Sequence, residues 1–315
     1  MLEIKERVAL KPFTIFQVGG EARFFAEVGS REDFLEAINW AIRRNVSPAV
    51  IGLGSNILVS DKGFPGLVIK VSSREILRLD GFKIHVDAGI KMAEAVNFAL
   101  ENGLTGLEWG VGVPGTIGGS IRGNAGCFGG EMKDIVTFVE VFDLKKKAIK
   151  MYFNSDCAFE YRHSSFKNHT ERIILSAVLT LKKGDVNDAR EKIKEYMKER
   201  VGHQEIGAST AGSTFKNVLW TKDNGEKAQI LAKFKEFARF KDSVAVPAGF
   251  LIEGAGLKGM RIGGAEVSSR HANFIITNGN AKSDDVVMLI SFIKERVHRK
   301  FNLHLEEEIQ YIGFD

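Results

Sequence analysis

Residues 112–126 read GVPGTIGGSIRGNAG. Six of these residues are glycine and Arg122 is the single charged side chain. Glycine permits positive φ and lets a ligand or a neighbouring chain approach the backbone without a Cβ in between. Amides gathered in such a run form concave nests that bind phosphate oxygens without help from a lysine. Residues 52–56, GLGSN, repeat the theme directly after a predicted strand, and Ser55 and Asn56 add side-chain donors. Composition alone fits a glycine-rich surface loop equally well.

Three phosphate-binding arrangements compete for these runs. The pattern GxxxxGK[ST] does not occur, which argues against a Walker-type nucleotide hydrolase. GxGxxG occurs at 110–115 and at 254–259, but neither copy follows a clean parallel strand in a βαβ unit, as a dinucleotide fingerprint requires. The third arrangement is two separate glycine loops gripping an extended dinucleotide between them.

The 315 residues are 44% hydrophobic, enough for two or three domains. The net charge of +4 is mild, and Lys and Arg are interleaved with Asp and Glu. With no basic arm, no nucleic-acid partner is expected. Cys127 and Cys157 are too few for a secreted disulfide framework and read as unpaired thiols. No stretch has the length of a signal peptide or of a membrane span. The expectation is a cytoplasmic monomer with no membrane partner. No His, Cys, Asp or Glu group shows metal-ligand spacing, so no metal is expected.

The first third alternates helix and strand. Residues 30–45 form a helix capped by Ser30, with Asp33 three residues on and Phe34, Leu35, Ile38, Ala41 and Ile42 on one stripe. Residues 47–54 run from strand to loop, 66–71 and 83–89 are strand-like, and 91–103 form a helix ending at Gly103. Then 135–144, 148–153 and 172–184 read as strands, and 186–202 as a charged amphipathic helix. Residues 226–243 read as one helix with Ile230, Leu231, Phe234, Phe237 and Phe240 recurring every three or four residues. A strand at 271–277, a long helix capped by Ser283 and a strand-like C-terminus complete the pattern.

TIFQVGGEARFFAEV, VIGLGSNILVSDKGFPGLVI and EWGVGVPGTIGGSIRGNAGCFGGEMKDI resemble the UDP-N-acetylenolpyruvoylglucosamine reductases, the MurB family. YRHSSFK, AGSTFKN, GGAEVSSRHANFIIT and LEEEIQYIG continue the resemblance in the right order, over nearly the whole chain. It implies an α+β protein: a FAD-binding fold of the vanillyl-alcohol-oxidase (PCMH) type in two subdomains, then a MurB-type α+β substrate domain. The implied segments are 1–75 and 76–185 for the FAD-binding subdomains and 186–300 for the substrate domain. Residues 301–315 would be a C-terminal strand returning to the active site. The short link between YRHSSFK and AGSTFKN resembles the branch without the extra tyrosine loop.

The resemblance also implies the reaction. NADPH reduces FAD, and the flavin reduces the enolpyruvyl group of UDP-GlcNAc-enolpyruvate to give UDP-N-acetylmuramate for peptidoglycan. In the first loop Gly52, Gly54, Ser55, Asn56 and Ile57 match flavin-contacting positions. In the second, Gly112, Val113, Pro114, Gly115, Thr116, Gly118, Gly119, Asn124 and Ala125 do so. Arg162 matches the carboxylate-binding arginine, and its planar guanidinium suits a bidentate grip. Ser213 matches the proton donor, and Ser209, Thr210 and Thr214 are hydroxyls beside it. Glu308 matches the catalytic glutamate by its place before Ile309, with Glu306 and Glu307 adjacent. Lys216 and Asn217 match contacts to the substrate diphosphate, and Tyr161, Arg270, His271 and Asn273 fall on the substrate side.

Two features depart from the family. Val218 stands where FKNP is usual, and the link from there to AGFLIEGAGLKG is unusually long. That link is either a surface helix packed on the third domain or a lid beside the UDP site. Two rivals remain: a flavin oxidase or dehydrogenase of the same fold acting on another substrate, and a non-catalytic protein keeping FAD as a structural element.

Overall fold

A computed structural model describes residues 2–203, 205, 207–220 and 226–314. The chain divides into two compact units. The first comprises Met1–Ala9, Glu21–Gly54 and Phe64–Gly202, and the second Leu10–Gly20, Ser55–Gly63 and His203–Asp315.

Among the described residues the first unit holds two larger sheets. One has four strands in the order Lys5–Ala9, Glu21–Val28, Phe64–Val71, Pro48–Ile51; only the edge strand Lys5–Ala9 is antiparallel to its neighbour. The helix Arg31–Arg44 makes the crossover that parallel pairing demands. Its start and stop are written locally. The Ser30 hydroxyl accepts the Asp33 N–H at 3.1 Å, Glu32 and Asp33 sit at the positive end, and Arg43 and Arg44 at the negative end. Asn45, in the left-handed region at φ 53°, ends it. Phe34, Ala37, Ile38 and Ala41 are buried against Phe24, Leu67 and Ile69, while Leu35 and Ile42 are half-buried at the flank.

The other sheet is wholly antiparallel, in the order Ala148–Phe153, Val136–Asp143, Arg172–Thr180, Lys83–Asp87, Ile76–Arg78. Its core takes in the helix Met92–Glu101, which stops at Asn102 and Gly103 (φ 69°), and the short helix Ile117–Gly123 from the glycine run. The helix Val186–His203, which the sequence places at the opening of the substrate domain, lies almost entirely in this unit. Ala189 is buried, Ile193 packs on the second sheet's core, and the Tyr196 ring stacks on Phe128 at 4.1 Å. Both cysteines are free thiols; Cys157 is buried, and that desolvation, with Asp156 second, pushes its thiol up to about 12.

In the second unit a three-stranded antiparallel sheet, Arg261–Ile262, Ala265–Val267 and Ile275–Thr277, packs with the helices Ala248–Gly254 and Ser283–Phe301. The strand Gln310–Ile312 pairs in parallel with Ile57–Val59, more than 250 residues away in sequence, and fixes the end of the chain. Ser283 is not a cap: it is the first residue of its helix. Its hydroxyl accepts the Asp61 N–H, while the Asp285 carboxylate closes the turn on the Lys282 N–H.

The expected single helix over 226–243 is broken. An α-helix runs Glu226–Lys233, Phe234 takes an extended conformation (φ −122°, ψ 100°), and a 3-10 helix follows at Lys235–Phe240. The break lets the Phe237 ring turn inward, where it contacts the rings of Phe234, Phe250 and Phe301 at 5.7, 5.1 and 5.3 Å. Arg239 lies over Phe240 and Phe250 at 4.8 and 4.3 Å and covers the cluster from outside. The described part of this long link therefore packs an apolar face on the second unit's core, with Ile230 and Phe237 buried. Phe237→Ala removes a fully buried ring and is expected to cost about 3–5 kcal/mol of unfolding free energy. Denaturant unfolding measures it, and a loss below about 1 kcal/mol would place the segment outside the core.

Candidate active site

The two glycine loops meet in the first unit. A Cβ on Gly52 would stand 2.7 Å from Thr116 Oγ1, so the loops touch only because position 52 has no side chain. Thr116 caps the short helix by accepting the Gly119 N–H at 3.3 Å. The helix is moored to the end of the strand Lys83–Asp87: Ile117 N–H donates to the Ile90 carbonyl at 2.8 Å, and Gly118 N–H to the Ala88 carbonyl at 2.9 Å. At Gly118 a Cβ would lie 2.8 Å from the Ala88 Cβ, so this mooring requires glycine.

Asn124, fully buried and left-handed (φ 43°), ends the helix and carries the next link. Its amide donates to the Glu131 carboxylate at 2.6 Å and to the Glu160 carbonyl at 2.9 Å, and its Oδ1 accepts the Lys133 N–H at 2.9 Å. Glu160 opens a tight turn closed by its reciprocal bonds with His163, 3.0 and 3.1 Å. Tyr161 and Arg162 are the central pair, with the Arg162 guanidinium 5.5 Å from the Tyr161 ring centre. Arg162 sits at φ 54°, a region that costs a non-glycine residue of order 1 kcal/mol. The Lys167 ammonium holds the Arg162 carbonyl at 2.9 Å. Beside this turn the Arg200 guanidinium donates to Cys127 Sγ at 2.8 Å and its aliphatic stem lies against Gly112. Burial pushes the Cys127 thiol up, opposed by the charges of Arg200 and Arg162.

In the second unit the chain that carries Ser213 runs beside the one that carries Glu306–Glu308. Residues 213–216 run between two stretches of chain. On one side Thr214 N–H donates to the Asn273 carbonyl at 2.8 Å. On the other, Glu308 N–H donates to the Thr214 carbonyl and Lys216 N–H to the Glu306 carbonyl, both at 2.8 Å. Asn273, buried, grips the Phe215 main chain with both ends of its amide, at 2.8 and 3.0 Å. The three consecutive glutamates separate by partner: Lys216 takes Glu306 at 3.1 Å and Lys294 takes Glu307 at 2.8 Å, leaving neither lysine on Glu308. Burial, then Glu307, pushes the Tyr311 phenol up. Asn217 Oδ1 accepts the Ala248 N–H at 3.1 Å, and the Asn56 amide donates to the Glu308 carbonyl at 3.2 Å. The His271 ring lies against Phe274 with centroids 4.4 Å apart, and Ser268 Oγ accepts the Arg270 and His271 amides.

Comparison with known proteins gives this geometry a family. Residues 22–151 match the FAD binding domain, and residues 204–312 match the UDP-N-acetylenolpyruvoylglucosamine reductase C-terminal domain. The UDP-N-acetylenolpyruvoylglucosamine reductase of Caldanaerobacter subterraneus subsp. tengcongensis is 37% identical over 304 residues, covering 96% of this chain and 92% of that protein. Its counterpart in Caldicellulosiruptor bescii is 37% identical over 306 residues, covering 96% and 89%. The chain belongs to the UDP-N-acetylenolpyruvoylglucosamine reductase family. The crystal structure of the Thermus caldophilus reductase (MurB) superposes with a TM-score of 0.77 at 31% identity, over 99% of this chain and 100% of that one.

The reductase fold carries a FAD-binding domain, and the two loops fit its cofactor. Among the described residues the amides of Gly52, Leu53, Gly54, Gly112, Gly115 and Thr116 donate to no protein acceptor. Gly54 and Thr116 are buried positions, where an amide without an acceptor is rare. Main-chain donors converging from two touching loops suit a diphosphate better than any single side chain. Asn124 spends its side chain on the Glu131 carboxylate and on the Glu160 and Lys133 main chain, and Asn273 spends its own on the Phe215 main chain. Thr116 as helix cap and Arg200 against Gly112 are roles that emerge only with the fold, since neither partner is near in sequence. Gly118→Ala is expected to weaken FAD retention by about tenfold or more, roughly 1.4 kcal/mol, read as flavin absorbance per protein after gel filtration. Full flavin content would mean that the Ala88 contact does not set the loop.

Proposed function

We propose that this protein is the NADPH-dependent reductase that converts UDP-GlcNAc-enolpyruvate to UDP-N-acetylmuramate, a peptidoglycan precursor, with FAD as its cofactor. Its relatives carry that reductase name at 37% identity over nearly their full length. The observation that carries the reading is the pair of touching glycine loops with six main-chain amides turned to no protein acceptor.

When bound, FAD supplies hydride chemistry that NADPH renews. The chain's own residues manage charge and protons. Arg162 is assigned to the substrate carboxylate. A guanidinium held by a closed turn pays little reorganisation when charge grows on that carboxylate, and a preset donor of this kind contributes a few kcal/mol to a transition state. Ser213 is assigned to protonation of the α-carbon. A hydroxyl is a weak acid, but a carbanionic carbon is a strong base, so position decides. Two supports hold Ser213 in place: the Thr214 and Phe215 main-chain bonds to Asn273, and the Glu308 amide on the Thr214 carbonyl. Glu308 is assigned to the enol or to the proton relay. Lys216, Asn217, Tyr161 and His271 are assigned to the nucleotide and sugar portions, with Asn273 as their scaffold. Among the described residues no helix is long and apolar enough to cross a membrane.

Ser213→Ala separates the roles. Bleaching of the flavin by NADPH should proceed at the normal rate, while reoxidation by UDP-GlcNAc-enolpyruvate slows by roughly 10²–10⁴-fold. Stopped-flow absorbance follows both phases. Normal reoxidation would remove Ser213 from the chemistry, and a flavin reoxidised by unrelated acceptors but not by this one would remove the substrate assignment.

A further inference from the structure

The antiparallel hairpin of Ile76–Arg78 and Lys83–Asp87 gathers three metal-ligating side chains away from the residues assigned to the reaction. His85 and Asp87 are two residues apart on one strand and so point to the same side. Glu75 stands across from Asp87: the Asp87 N–H donates to the Glu75 carbonyl at 2.9 Å, and the Glu75 N–H donates to the Asp87 carboxylate at 3.0 Å. One ligand atom from each of Glu75, His85 and Asp87 lies within 4.8 Å of the other two.

Two further observations point to a cation here. His85 Nδ1 is buried yet makes no hydrogen bond, and it stands 3.9 Å from the Glu75 carboxylate, outside bonding reach. Among the described residues no lysine or arginine forms an ion pair with Glu75 or Asp87. The neighbouring carboxylate on the same sheet shows the contrast: Glu140 is matched by Arg31 at 2.6 Å.

We propose that Glu75, His85 and Asp87 form a binding site for a divalent transition-metal ion, with zinc as its best-fitting occupant. One imidazole and two carboxylates favour a borderline cation over magnesium or calcium, which take oxygen alone. Tetrahedral zinc with ligands at about 2.0–2.2 Å needs its donor atoms about 3.3 Å apart. The half-exposed Glu75 side chain supplies that closure by rotating about its own bonds, and water takes the fourth position. A metal here staples the hairpin at Asp87. The next residue, Ala88, carries the carbonyl that moors Gly118 of the glycine helix. Occupancy therefore stiffens the strand end on which the glycine loop rests.

The test is zinc titration of the purified holoenzyme by calorimetry, with thermal unfolding followed by flavin release. Wild type should take up one zinc saturably and gain melting temperature. Glu75→Gln and His85→Gln should each weaken binding by roughly tenfold or more, the scale on which even indirect partners of a metal ligand act, and lose the thermal gain. Equal flavin content in both variants shows that they are folded, and Glu75→Gln, at an exposed position, alters no packed residue. No saturable uptake below about 1 mM, a binding energy of about 4 kcal/mol, overturns the proposal. So does uptake that both variants retain, since the ion would then be held by other residues.

Discussion

The Gly118 amide can reach the Ala88 carbonyl only because nothing projects from Cα at position 118, and much of the first unit's candidate site follows from that approach. It presses the short helix onto the end of a strand whose alternate residues, Ile84 and Val86, are buried, and so restricts the helix's pose. With the pose fixed, Thr116 and Gly115 present their amides beside the Gly52–Gly54 loop, and Asn124 is delivered to the far end at the angle needed to hold Glu160. The glycines are thus not a flexible stretch. Gly52 and Gly118 are places where two pieces of backbone come closer than side chains allow, and that closeness leaves amides with no protein partner.

The second unit solves its placement problem by a different means. Residues 213–216 are too irregular to count as a strand, yet bonds to Asn273 on one side and to residues 306–308 on the other clamp them. A satisfied buried amide such as Asn273 rigidifies more than an apolar residue of its size, because any displacement of the Phe215 main chain leaves buried donors and acceptors unmet. The cost falls on versatility: an Asn so used has little left for a ligand. The run of glutamates is sorted by the same logic, since lysines from two different elements claim the first two.

What was legible in the sequence was local. Ser30 before a periodic stripe, Gly103 after one, and the alternation of 136–143 and 172–180 each encode their element within a few residues, and each element formed there. The glycine runs marked places where backbone approaches closely, because the demand for bare backbone is written directly in composition. What was not legible was distant pairing. Nothing near Ser283 shows that its hydroxyl will serve Asp61, and nothing near residues 57–59 shows that they pair with 310–312. The phenylalanine spacing of 230–240 was read as one helix because periodicity reports which residues are buried, not how the backbone turns to bury them. A kink at Phe234 buries Phe237 fully, and the gain from a packed ring exceeds the few helical bonds given up.

Arg162 is a place where local preference is overridden. A turn whose third residue has positive φ favours glycine, and an arginine there gives up of order 1 kcal/mol. Such a residue persists only where the surroundings over-determine it. Here they do: two reciprocal bonds close the turn, Asn124 holds its first carbonyl, and Lys167 holds the carbonyl of Arg162 itself. Each of these bonds acts on the main chain. Such a turn suits the role proposed for Arg162, because any freedom left in it would be lost on binding and subtracted from the charge stabilisation it delivers.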